Sequence, residues 1–289
     1  MRFFRALVIL LLLVGRVSSV AAQTPEPAWL TIERAEQLLE AGEFGLAIRS
    51  FRTALELSAN DPRALFGLAR AYKAAGDFPV AEDYLGRALR YRERFDVPEY
   101  ALLVRYERAD LYRTQRDFVR YEEELVSIVG EDPIPEDALI PDNLHLVLLE
   151  QGIDRMLVLY RLGESGSTDA RGRLAELLVG LGRYDAAAEQ GAVAILQAFT
   201  TIIDAARHRD PIYEFTTTED LFRRSRDYPE VIDYLDRSTL FHDLYYTAAA
   251  YWGEGRGRAL DLWRLLSAID TDGSWGARAR RQLDSPRTE

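Results

Sequence analysis

The residues best suited to acid–base or metal chemistry in this chain are three histidines, His145, His208 and His242. A metal site legible in sequence places two donors on one helical face, as HExxH does. None of the three histidines has a second donor histidine at such a spacing. No metal ligand and no cofactor is expected. Asp270-Thr271-Asp272-Gly273 faintly resembles a calcium loop. It lacks the third early oxygen ligand, and Arg281 stands where a bidentate glutamate would be, so a turn between helices is the expectation. Gly253, Gly255 and Gly257 follow a helical pattern rather than a strand, which argues against a phosphate-cradling loop. Glu122-Glu123-Glu124 reads as the solvated acidic face of a helix. There is no GxSxG motif. The absence of cysteine removes disulfides, thiolate metal sites and thiol nucleophiles together. The chain is expected to have no catalytic residues and not to be an enzyme.

The elements that position these residues follow a period of 34. Ala35, Gly42, Phe44, Ala47, Ala54 and Leu55 recur as Ala69, Gly76, Phe78, Ala81, Ala88 and Leu89. Small and aromatic residues returning to the same slots indicate stacked helix pairs. In the second copy Asp61 and Pro62 start a helix, since an N-cap oxygen precedes a residue that needs no amide donor. Gly76 ends it by taking the left-handed conformation, and Asp77 and Pro79 open the partner helix. Ala69, Ala81 and Ala88 fall where two backbones approach closely, with Leu68, Tyr72, Phe78 and Leu85 filling the gaps. The strict copies are 28–61 and 62–95. A longer copy at about 98–129 replaces alanine by Tyr121 and Ile128, and others come at about 168–208 and 238–270. Between them, 130–141 reads as a linker, 143–162 as a helix bent at Gly152, and 209–238 as a loop with one or two short helices. A capping helix at 276–283 and a disordered tail at 284–289 complete the expected order.

The run Leu68-Ala69-x-x-Tyr72-x-x-x-Gly76-Asp77-Phe78-x-x-Ala81, followed by Leu85-x-x-Ala88, resembles a tetratricopeptide repeat. The resemblance implies an all-α solenoid of stacked antiparallel helix pairs. It also implies a concave groove, lined by the first helix of each pair, that receives an extended peptide or a helix. In that register the first copy presents Trp29, Ile32, Glu36 and Leu39, and the second Phe66, Arg70 and Lys73. The copy near Thr168 presents Arg173, Glu176 and Val179, and the last His242, Tyr245, Tyr246 and Trp252. Some members of the family clamp a C-terminal carboxylate with lysine and asparagine, but Ile32 and Glu36 occupy those slots here. The aromatic group of the last copy has two readings. Tyrosine and tryptophan at an exposed face favour recognition; alternatively the rings form core beneath the 209–238 segment.

Residues 1–22 read as a secretory signal peptide, with Arg2 and Arg5 ahead of a short apolar stretch and small residues before Gln23. An uncleaved anchor is the rival reading, and no later segment is expected to cross a membrane. Without a cysteine at the cleavage site, the product is expected to be periplasmic or secreted and not a lipoprotein. The net charge of −11 disfavours nucleic acid, which needs a basic patch. Together these features point to a non-catalytic scaffold or adaptor of a bacterial cell envelope that binds protein or peptide partners. The alternative is a small-ligand-binding accessory of an envelope transport system, with an apolar pocket between repeats.

Overall fold

The computed structural model describes residues 26–288. The signal-peptide expectation for 1–22 lies outside the described residues. Every regular element among those described is helical, and they divide into two compact units, one ending at Arg94 and the other starting at Phe95.

Unit 1 is two helix pairs, α1 (Ala28–Glu40) with α2 (Phe44–Leu57) and α3 (Pro62–Ala74) with α4 (Phe78–Arg90), closed by a 3-10 turn at Arg92–Arg94. The local signals act as expected. Asp61 accepts from the amides of Arg63 and Ala64 at 3.0 and 3.3 Å, ahead of Pro62. Gly42 and Gly76 take φ of 77° and 82°, a region open to glycine without a Cβ clash. Ala35, Ala47, Ala54, Ala69, Ala81 and Ala88 are all fully buried. One further small residue matters: a Cβ on Gly67 would stand 2.2 Å from the Phe51 ring. The missing side chain is what lets Phe51 lie on the backbone of α3.

Unit 2 begins with a third pair, α5 (Tyr100–Gln115) and α6 (Phe118–Glu131). The sequence places this pair in an N-terminal region ending at 129, before a linker. The structure instead joins it to the segment around Gly166 and the helix beyond. Tyr106 Oη donates to the Gly166 carbonyl at 2.7 Å and accepts from the Ala170 amide at 3.0 Å. Asp132 accepts from the Ser167 amide at 2.7 Å, and Arg173 bonds Asp110 at 2.7 Å. The expected linker is thus tied across the unit, with a 3-10 turn at Glu136–Ala138. The helix expected over 143–162 is two helices, α7 (Leu144–Gln151) and α8 (Ile153–Leu159), broken at Gly152, whose φ is 85°.

Next come α9 (Thr168–Gly180) and α10 (Tyr184–Arg209), then the short α11 (Thr218–Ser225) and α12 (Pro229–Arg237). The last pair is α13 (Leu240–Gly253) and α14 (Ala259–Ile269), capped by α15 (Ser274–Asp284). The expected disordered tail is anchored in part, because the Arg287 amide donates to Gln282 Oε1 at 2.6 Å. Among the described residues α10 is long and apolar enough to cross a membrane, contrary to the expectation for the segments after the leader. Of that stretch 78% is buried inside the unit, which is the position of a core helix. α13 seats against α9 and α10 at two glycines. A Cβ on Gly172 would meet Asp243 Oδ1 at 2.1 Å, and one on Gly191 would meet Thr247 Oγ1 at 2.0 Å.

Candidate functional site

In unit 1 the first helices of the two pairs present part of the expected groove face. Trp29 is 60% exposed, Arg70 is exposed, and Phe66 and Lys73 are half-buried. The Arg70 guanidinium lies 5.8 Å from the centre of the Phe66 ring, a cation–π spacing. Ile32 and Leu39 do not face outward. Both are buried in the core with Phe51, because their positions on α1 fall on the side that meets α2 and α3. Glu36 is spent on Arg63, at 3.1 Å.

Unit 2 carries a better-formed surface. A hollow of about 310 Å³ lies between α5, α6 and α9, lined by Arg113, Phe118, Tyr121, Arg173, Glu176 and Leu181 among others. Phe118 and Leu181 are large apolar side chains left exposed. Two of the three register residues of α9 therefore line this hollow, whereas Val179 turns into the core. Arg173 is fixed between Asp110 and Asp169, each at 2.7 Å. Tyr121 brings a hydroxyl that is closed off from solvent and has no hydrogen-bond partner.

On α13 the four expected residues separate. Tyr245 is only 5% exposed. Its hydroxyl accepts from the buried Gln282 Nε2 at 2.7 Å, and its ring packs 5.5 Å from Trp275. Tyr245 is therefore core, not groove, and the cover is α15 rather than the 209–238 segment. Trp252 is half-buried, 6.2 Å from the buried Trp263. Tyr246 is half-buried and donates to Glu176 Oε1 at 2.9 Å. His242 has both ring nitrogens engaged, Nδ1 with Asp243 at 3.0 Å and Nε2 with Glu176 at 3.2 Å.

The electrostatics of that cluster are those of an ion pair. Burial acts to lower the His242 pKa, but its hydrogen bonds to Asp243 and Glu176 overcome this and hold it up at about 9. Hydrogen bonding to His242 pulls the Glu176 carboxyl down, while burial pushes Asp243 up. A general base needs a ring nitrogen facing substrate; both nitrogens here face carboxylates of the fold. Glu124 departs from the solvated acidic face expected of it. It is 4% exposed and accepts from Arg105 at 2.9 Å and Arg108 at 2.8 Å. His145, Asp185 and Glu189 bring donor atoms within 4.8 Å of one another, a grouping hidden in sequence because it joins α7 to α10. The His145 Nε2 lies 3.3 Å from an Asp185 carboxylate oxygen, and both carboxylates are exposed.

Residues 38–105 match the family model described as a tetratricopeptide repeat. An uncharacterized protein of Borreliella burgdorferi is 22% identical over 164 residues, which is 54% of this chain. The chain spans about half the length of that curated relative. Among solved structures, YrrB, described as a TPR protein with an unusual peptide-binding site, is 16% identical, with a TM-score of 0.48 over 87% of this chain and 90% of its own. A putative kinesin light chain from Podosopora anserina with nearly identical TPR-like repeats is 17% identical, with a TM-score of 0.48 over 86% of this chain and 100% of its own.

Proposed function

With residues 38–105 a tetratricopeptide-repeat segment, we propose that the chain is a non-catalytic scaffold or adaptor that holds segments of partner proteins, and that it works in a bacterial cell envelope. The observation that carries the binding reading is the hollow between α5, α6 and α9. There Phe118 and Leu181 offer apolar contact beside Arg113, Arg173 and Glu176. An apolar floor with a few fixed charges suits a peptide that inserts one hydrophobic residue and aligns its polar groups on the rim. Trp29, Phe66, Arg70 and Lys73 provide a second contact face on unit 1. Tyr246 and Trp252 have partial exposure for the same purpose, with Tyr245 packed beside Tyr246 and Trp263 beside Trp252. The envelope location rests on reading residues 1–22 as a signal peptide.

Site-specific photocrosslinking in cells tests both parts. A crosslinker at Leu181 should capture a discrete set of envelope proteins, and a charge reversal at Arg173 should abolish that capture. Recovery of only cytoplasmic proteins would overturn the location. Capture unchanged by Phe118→Asp together with Leu181→Asp would overturn the site.

A further inference from the structure

The segment between α6 and α7 closes a different hollow of unit 2, of about 600 Å³. Ile134, Ile140, Leu144 and Val193 give it apolar walls, and Arg171 lies among its lining residues. Arg171 is 5% exposed. Its Nη1 donates to Gln190 Oε1 at 3.0 Å, and its Nε is closed off from solvent without a partner. No carboxylate among the described residues pairs with it. The nearby Asp132 already accepts from the Ser167 amide.

Arg171 differs in this from Arg105 and Arg173, while Arg161 shares the lack of a carboxylate but lies over the Phe215 ring. Arg105 pairs with Glu124 and Glu131, and Arg173 pairs with Asp110 and Asp169. Burial pushes the Arg171 guanidinium below its usual range. The Asp132 charge works against that shift without a direct contact, and a guanidinium buried with no carboxylate against it gains the fold little where methionine would fit. The side chain is accounted for if an anion completes it.

We propose that this hollow binds a small organic monocarboxylate, with its carboxylate on Arg171 and Gln190 and its apolar body against Ile134, Ile140, Leu144 and Val193. A guanidinium matches a carboxylate through paired N–H donors. The rim limits the charge: Glu136, Asp142 and Glu189 line the same hollow and are exposed. They repel any anion, a doubly charged one about twice as strongly, so phosphate and dicarboxylates are selected against relative to a monocarboxylate held by Arg171. The site is independent of the peptide hollow. Arg173, two residues further along α9, lies roughly 200° around the helix from Arg171 and lines the other hollow.

The experiment is calorimetric titration of the full chain with 4-methylpentanoate, its amide, succinate, phosphate, and a pentapeptide ending in a free leucine carboxylate. The expected result is saturation by 4-methylpentanoate alone among the small probes. Arg171→Met should weaken that binding at least tenfold while raising the melting temperature of the unliganded protein, since a buried unpaired charge is removed. Equal binding of the amide, unchanged affinity in Arg171→Met, or no saturation by the acid at about 10 mM would each overturn the proposal. Binding of the pentapeptide without the free acid would overturn the small-solute assignment. If far-UV circular dichroism shows that Arg171→Met does not fold, the acid–amide comparison on the unaltered protein decides.

Discussion

Unit 1 and unit 2 pack helix pairs from different materials. Unit 1 uses alanine at nearly every close approach, glycine at both tight turns, and among its described residues buries one polar side chain outside the backbone, Thr31. Unit 2 buries Glu124, His145, Arg171, Gln197 and Asp243. A strict repeat must present the same face to each neighbour, so only groups that pair with anything apolar can sit inside. Once helices lengthen and segments are inserted, each contact is unique, and an ionisable group can be given its own partner. The regular unit therefore supplies a framework, and the irregular one supplies individual chemistry.

That contrast can be broken at the ion pairs first. Glu124→Gln should cost about 3 kcal/mol or more, because it leaves two shielded arginines without their shared carboxylate. Glu36→Gln in unit 1 should cost under about 1 kcal/mol, as its pair with Arg63 is roughly one-third exposed on both sides. Urea denaturation of the two variants measures the difference, and equal losses would erase the distinction. Close approach should separate the units less. Gly172→Ala forces a methyl against Asp243, and Gly67→Ala forces one against Phe51. Each should cost about 1–3 kcal/mol, but only the first should also disturb the His242 resonance in NMR.

The pH response should belong to unit 2. A His242 pKa of about 9 in the folded protein, against ~6.5 unfolded, means the contribution is complete below about pH 6.5. It is then lost as pH rises through 9, by on the order of 3 kcal/mol. Melting curves from pH 6 to 10 should fall accordingly, and His242→Gln should flatten them. The smallest effect is at the turns. Arg116 takes φ 59° where Gly42, Gly76, Gly182 and Gly255 stand in the other copies. Arg116→Gly should raise stability by about 1 kcal/mol, bringing the third pair closer to the first two.

Much of the fold is legible in the sequence because its signals are local. Asp61-Pro62, Gly76 and Asp77 act within four residues of their own position, and the alanines repeat at a fixed spacing. The length of α10 and the two short helices after 209 come from the same kind of reading, whereas at Gly152 the expected bend is instead a break into two helices. The site is less legible. Register alone puts Ile32, Leu39, Val179 and Tyr245 in the groove, yet each falls on the buried side of its helix. A helical wheel assigns a face but does not say how much of it the next helix covers. For Tyr245 the cover is α15, 29 or more residues further on. Arg171, Glu124 and the His145 grouping depend on partners 16 to 44 positions away in sequence, with no shared motif. The membrane-length apolar run of α10 is likewise explained only by the helices around it.

Those surroundings bear on how the molecule comes apart. α10 packs against α7, α8, α9, α11, α12 and α13, so its amides cannot meet solvent unless most of unit 2 opens with it. Stacked pairs such as those of unit 1 can fray one neighbour at a time. Hydrogen exchange should therefore show a graded series of opening energies along α1 to α4, but one shared, higher value along the middle of α10. The helix acts as a hub that makes unit 2 a single cooperative body assembled from parts that elsewhere behave as links in a chain.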